Sequence, residues 1–272
     1  MSDLIARAAA QTLVRYAVAD HVATLTLNRP ERRNALNYAA YDELERGFRA
    51  AQADPAVRCI IVTGADPAFC SGDDVGEIMA GPKPKDAPPL VATVRHPVTP
   101  AALAALECDK PMIAAINGAA VGWGMELALF CDMRIASEKA KFGELFIKRG
   151  LVCDVGGFYS LPAIVGPAKA AELLFTGDVF DAQEALRIGL VSEVAPHETL
   201  MARAHALAAR IACNPPLALR YMKEGLTRFS YGDPREIGAW AIETIRKLMQ
   251  TDDHKEGVAS FLEKRAPHFT GR

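Results

Sequence analysis

Asn117-Gly118-Ala119-Ala120-Val121-Gly122-Trp123-Gly124-Met125-Glu126 follows the apolar run Pro111-Met112-Ile113-Ala114-Ala115-Ile116. The run reads as a buried strand and the glycines as a turn into a helix. The same arrangement stands upstream, where Gly64-Ala65-Asp66-Pro67-Ala68-Phe69-Cys70-Ser71-Gly72-Asp73-Asp74 follows Arg58-Cys59-Ile60-Ile61-Val62-Thr63. Glycine lets a backbone approach another group closely and aim its N–H groups outward. Two such loops facing each other can hold one oxygen that becomes negative during a reaction. They can equally be two ordinary strand-to-helix turns, and spacing alone does not choose.

Outward from these loops, strands and helices alternate. Leu13–Ala19 and Val22–Leu27 read as a hairpin turning at Asp20-His21. Residues 38–53 carry Leu44 and Phe48 at helical spacing, and Val57–Thr63 reads as a strand. Helices starting near Gly72 and Gly122 would favour negative charge at their N-termini. The alternation predicts an α/β core. Six prolines between Gly81 and Pro100 exclude a long helix or central strand there and predict a loop beside the site. Beyond Pro196 the segments 197–212, 216–229, 234–250 and 253–264 all read helical, with Asp233 placed to cap the third. The expected division is an α/β core over 1–196 and a helical region over 197–272.

Composition narrows the function. A formal charge of −2 over 272 residues disfavours nucleic acid as the main partner. The cysteines, Cys59, Cys70, Cys108, Cys131, Cys153 and Cys213, contain no C-x-x-C pair, and the six histidines show no ligand spacing, so no metal site is expected. No apolar run reaches the ~20 residues of a membrane span, and the N-terminus does not read as a secretory signal. A cytoplasmic, reduced protein is expected. Neither glycine loop fits a dinucleotide or ATP motif, and no G-x-S-x-G is present.

In order along the chain, Asn28-Arg29-Pro30-Glu31-Arg32-Arg33-Asn34-Ala35-Leu36, the two glycine loops, Cys131-Asp132-Met133-Arg134-Ile135-Ala136, Gly150-Leu151-Val152-Cys153-Asp154-Val155-Gly156-Gly157, Leu174-Phe175-Thr176-Gly177 and Ala185-Leu186-Arg187-Ile188-Gly189-Leu190-Val191 resemble the crotonase, or enoyl-CoA hydratase/isomerase, family. The resemblance implies a spiral of ββα units with a C-terminal helical region that assembles a homotrimer or a dimer of trimers. It implies an acyl-CoA substrate, with coenzyme A entering as part of that substrate and no separate cofactor.

The resemblance also assigns residues. The backbone N–H groups of Asp73 and Trp123 would form the oxyanion hole for a thioester enolate; loss of one such donor costs ~3–4 kcal/mol in other enzymes. Trp123 stands where glycine is commoner, and its indole is expected to shape the acyl pocket. Glu126 takes the place of one of the two glutamates that hold water in the hydratases. The second place falls on Phe146, which cannot exchange a proton. Glu144 is two residues away, where regular structure would point it elsewhere. Asp154 matches a catalytic aspartate of the double-bond-shifting members, although capping a helix is its ordinary alternative. Phe146, Phe158 and Trp123 are expected to enclose it.

For coenzyme A, the resemblance implies Arg29 and Arg33 in a basic cluster with Arg32, Ala35 and Leu36 beside the thioester, Ser71 and the run Asp73, Asp74, Val75 and Gly76, Gly122, and Phe261 with Lys264 on a C-terminal helix. The expected activity is that of an enoyl-CoA hydratase/isomerase, with isomerisation ahead of hydration because of Phe146. An acyl-CoA binding protein without turnover is the alternative.

Overall fold

The computed structural model describes residues 2–10, 12–83, 85, 98–229, 243–245 and 247–272. The prolines between Gly81 and Pro100, the helix expected over 234–250 and its cap Asp233 fall wholly or largely outside these residues.

The hairpin forms as expected: β1 (Val14–Ala19) and β2 (Val22–Leu27) pair antiparallel, with Asp20 and His21 both at positive φ in the turn. Helix α2 (Tyr38–Ala53) follows, its first turn satisfied by Asn37 Oδ1, which accepts from Ala40 N at 2.9 Å. A cap of this kind contributes about 1 kcal/mol. Three ββα-like units then advance in step. β3 (Cys59–Gly64), β5 (Met112–Ile116) and β7 (Met133–Ser137) lie side by side and parallel in a six-stranded sheet of order β1-β2-β3-β5-β7-β10, where β10 is Glu193–Ala195. β4 (Ala68–Cys70), β6 (Ala119–Val121) and β8 (Lys141–Gly143) advance in parallel in a second sheet, closed by β9 (Phe180–Asp181) running antiparallel. Each unit therefore takes one strand in each sheet before its helical segment.

The central strands are buried on both faces, and the two-residue period divides them between two cores. Ile60, Val62, Met112, Ala114 and Ile116 pack into the larger core with Phe48, Phe69, Phe142 and Leu44. Cys59, Ile61, Ile113 and Ala115 face the other way, onto Leu200, Ala204, Ala208 and Ala212 of α8 (Leu200–Ala212). The four-residue spacing of these mostly small side chains makes one flat stripe, so α8 lies close against the sheet. α8 thus forms a layer on this face of the sheet. α9 (Pro216–Phe229) and a C-terminal helix, Asp252–Glu263, continue the helical region. Among the described residues no helix is long and apolar enough to cross a membrane.

Candidate active site

The site lies where α4 (Trp123–Phe130) meets the end of β4. All eight residues of α4 are buried, so it is a core helix without a solvent face, and Glu126 is the one charged residue in it. Its N-terminus approaches the first glycine loop so closely that a Cβ on Gly124 would lie 2.0 Å from the Cys70 carbonyl oxygen. Gly72 has φ +87°, and a Cβ there would meet Val121 O at 2.9 Å and Trp123 N at 3.1 Å. Glycine is required at both places for the two loops to touch.

The loops are held in register by residues 29–36. Asn34, at φ +57°, donates from Nδ2 to Ala65 O (2.7 Å) and Ala68 O (2.6 Å). Leu36 N donates to Gly72 O and Asp74 N donates to Leu36 O, both at 2.8 Å, as in a parallel ladder. In such a ladder the intervening residue, Asp73, turns its N–H away from the partner. No acceptor among the described residues takes the Asp73 amide. The same holds for the Trp123 amide, which opens the first turn of α4, where N–H groups have no intrahelical partner. Asp73 and Trp123 together line two adjoining cavities of about 30 and 260 Å³.

The Trp123 indole is both core and wall. It is 3% exposed, with its ring edge-on to Tyr41 at 4.8 Å and to Phe130 at 5.8 Å between centroids, and it borders both cavities. Phe146 borders both as well. Phe158, expected to enclose Asp154, instead turns outward and is 60% exposed. Its place in the enclosure is taken by Tyr41 and Val152, which line the larger cavity with Asp154.

The carboxyl groups are arranged in depth. Asp154 lies on the wall of the larger cavity. Behind it, Glu126 is fully buried, and its Oε1 accepts the main-chain N–H groups of Asp154 and Gly157, each at 3.0 Å. Burial, with the charge of Asp154 adding to it, raises Glu126 to about 7 despite these donors. Glu144 is also buried in this group, and burial together with the charges of Glu126 and Asp154 holds its carboxyl well above the usual range. It lines neither cavity, and residue 144 is not in regular structure. At φ −86° and ψ 80° it joins β8 to the 3-10 turn Leu145–Arg149, and strand alternation does not apply. On the cavity side, the Tyr41 hydroxyl donates to Asp73 Oδ1 at 2.5 Å. Burial raises the Asp73 carboxyl; the Tyr41 hydrogen bond opposes the shift and Asp154 adds to it.

Sequence reasoning passed over Tyr41, although it precedes Leu44 and Phe48 by three and seven residues and so lies on the face they define.

The residues expected along coenzyme A separate into two groups. Arg29 is 8% exposed, and its guanidinium is taken up within the chain by Ala35 O (2.5 Å), Asp74 (3.0 Å) and Glu77 (3.2 Å). This pairing, together with the Asp74 cap on Glu77 N, assigns Arg29 and Asp74 to holding the loop, in place of a free phosphate handle for Arg29. Ala35 and Leu36 are buried beside them. Arg32 and Arg33 are exposed, as are Val75 and Gly76, while Ser71, Val75 and Gly122 border the smaller cavity. Lys264 is exposed just past the C-terminal helix, and the Phe261 side chain lies outside the described groups.

Comparison with known proteins agrees with this architecture. The profile of the enoyl-CoA hydratase/isomerase family matches residues 18–272. The chain belongs to the enoyl-CoA hydratase/isomerase family. It is 37% identical to the crotonyl-CoA hydratase of Syntrophomonas wolfei over 256 residues, covering 93% of this chain and 96% of the relative. It is 35% identical to the 1,2-epoxyphenylacetyl-CoA isomerase of Escherichia coli over 251 residues, covering 92% and 95%. Among solved structures, the enoyl-CoA hydratase of Bacillus anthracis superposes with a TM-score of 0.87 at 34% identity, covering 96% of this chain and all of the other. The two interleaved sheets and three advancing units are thus the crotonase fold of this family.

Proposed function

We propose that this member of the enoyl-CoA hydratase/isomerase family acts on an enoyl-CoA thioester, and that it shifts the double bond in preference to hydrating it. The observation that carries the reading is the pair of unused amides, Asp73 and Trp123, opening on one cavity with Asp154 on its wall. The substrate thioester oxygen lies against the two amides. Removal of a proton from the α-carbon of a 3-enoyl-CoA places charge on that oxygen, and preset donors stabilise it without reorganisation. Return of a proton to the γ-carbon gives the conjugated 2-enoyl-CoA, with no net gain or loss of atoms. Asp154 meets the acyl chain, and Glu126, bound to the same loop, is its partner in the proton transfer. A carboxyl near 7 suits both directions of exchange.

Phe146 supports isomerisation over hydration, since a phenyl ring stands where a second water-holding glutamate would be needed. Relatives of similar identity bear both hydratase and isomerase names, so relatedness alone does not choose. A reduced, cytoplasmic setting and assembly as a homotrimer or a dimer of trimers belong to the same reading. Six free thiols support the first. Exposed Met222 and Leu226 on α9, and Leu262 on the C-terminal helix, support the second.

The test is turnover by the pure protein of crotonyl-CoA and of a 3-enoyl-CoA. Gain of conjugated-enoyl absorbance from the 3-enoyl substrate supports the reading. Loss of absorbance from crotonyl-CoA without isomerisation makes the protein a hydratase. Binding with neither change makes it an acyl-CoA carrier and removes the catalytic reading.

A further inference from the structure

Three buried carboxyl oxygens, Glu126 Oε2 and both oxygens of Glu144, have no hydrogen-bond partner among the described residues. Buried polar atoms in folded proteins are nearly always satisfied, so such a cluster calls for a reason. The two side chains belong to separate elements, α4 and the turn after β8, and their charges act on one another in the core. Their local support differs. Glu126 Oε1 receives two main-chain N–H groups, from Asp154 and Gly157. Glu144 receives none.

The other titratable groups facing the pair are Asp154 and Cys153. Burial pushes the Cys153 thiol up to about 12, which leaves it neutral. The charges that act on Glu144 are those of Glu126 and Asp154, both negative, with no described cation to offset them. Two buried carboxyls whose charges repel one another in a dry interior do not both ionise. The member with N–H donors takes the charge, and the member without them takes the proton.

We propose that Glu144 is a positioning residue for proton transfer, keeping its own proton so that the buried pair carries one negative charge and Glu126 bears it. Glu144 keeps this proton throughout and so adds no second negative charge to the buried cluster. The consequence is that Glu126 can still give up its proton near neutral pH despite complete burial. The inference rests on the reading of Glu126 and Asp154 as the proton-transfer pair.

Two substitutions and one spectroscopic measurement test it. Glu144→Gln keeps a neutral, isosteric polar group, so the ascending limb of the kcat/KM profile against pH should stay within a few tenths of a unit of wild type. Glu144→Leu removes the polar group, so that limb should move up by about one unit, with about a tenfold loss of kcat/KM on it. A limb in Glu144→Gln that moves down by a unit or more means that Glu144 carried charge, which overturns the proposal. A Glu144→Leu profile equal to wild type means that the residue only fills space, which also overturns it. Infrared spectra of the free protein at pH 8 give a readout that needs neither turnover nor a folded leucine variant. A protonated-carboxyl band that vanishes in Glu144→Gln supports the proposal, and the absence of that band overturns it. If wild type turns over neither enoyl-CoA substrate, the proposed function fails, while the infrared band still decides the protonation of Glu144.

Discussion

The main-chain N–H of Asp154 donates to Glu126 Oε1 at 3.0 Å, so the carboxyl on the cavity wall and the one buried behind it share a single frame. The burial of Glu126 has a cost that its N–H donors offset only in part. Glu126 titrates near 7 in the folded protein instead of 4.5. The folded state therefore binds more protons than the unfolded chain between these values, and stability falls as pH rises through that window. The penalty is absent below about 4.5 and complete above about 7. Glu126→Gln keeps an oxygen for the two N–H donors and abolishes the charge. We expect it to be more stable than wild type by about 2–3 kcal/mol at pH 8, with the gain gone by pH 4. Urea melts at both pH values check this, and turnover should fall by at least about 100-fold. An equal midpoint shift at both pH values would show that the gain is not electrostatic.

Asp154 contributes to this frame through its main chain, while its side chain lies on the cavity wall and accepts from Val155 N at 2.8 Å. Asp154→Asn preserves size, the oxygen acceptor and the amide given to Glu126. Turnover should drop by about 100-fold or more, with the melting temperature nearly unchanged. Near-normal turnover would remove Asp154 from the chemistry and leave it as the cap of the following turn.

The proposed oxyanion pair depends on Gly72. Alanine there must adopt a φ of +87° and bring Cβ to 2.9 Å from Val121 O and 3.1 Å from Trp123 N. Both effects push the two loops apart, at a cost of about 1–3 kcal/mol in backbone strain alone. Gly72→Ala should lower kcat by about 100-fold or more, because the loss falls on donors used in the transition state. A fall in apparent affinity with kcat preserved would locate the amides' role in binding.

The glycine loops were legible because their close approach depends on the backbone, and backbone demands are written in glycine positions. The hairpin and the helix over 38–53 were legible for a similar reason: period and turn residues are local. Glu144 was not legible, since its direction follows from a non-repeating backbone between a strand and a 3-10 turn, and no residue count predicts that. Nor was the inward pairing of Arg29, which depends on Asp74 and Glu77 more than forty residues away. The close seat of α8 on the sheet follows from a spacing of small side chains that a sequence shows but that only the opposing strand face makes meaningful.

Arg29 and Arg33, four residues apart, should behave oppositely. The Arg29 guanidinium is buried against Asp74, so Arg29→Ala leaves a nearly buried carboxylate without its partner. The expected loss is about 3 kcal/mol of stability, by analogy with other broken buried pairs. Much of it should be recovered in the double variant Arg29→Ala/Asp74→Asn, which removes the orphaned charge. Arg33 is exposed and makes no side-chain contact in the described structure, so Arg33→Ala should change stability by no more than about 0.5 kcal/mol. If Arg33 meets the phosphates of coenzyme A, its loss should raise KM without changing kcat, and the salt dependence of KM should weaken with it. Denaturant melts and steady-state kinetics at two ionic strengths separate the roles. An Arg33 variant with an unaltered KM would assign the phosphates to other cations of the chain, and an Arg29 variant of wild-type stability would return Arg29 to the candidates.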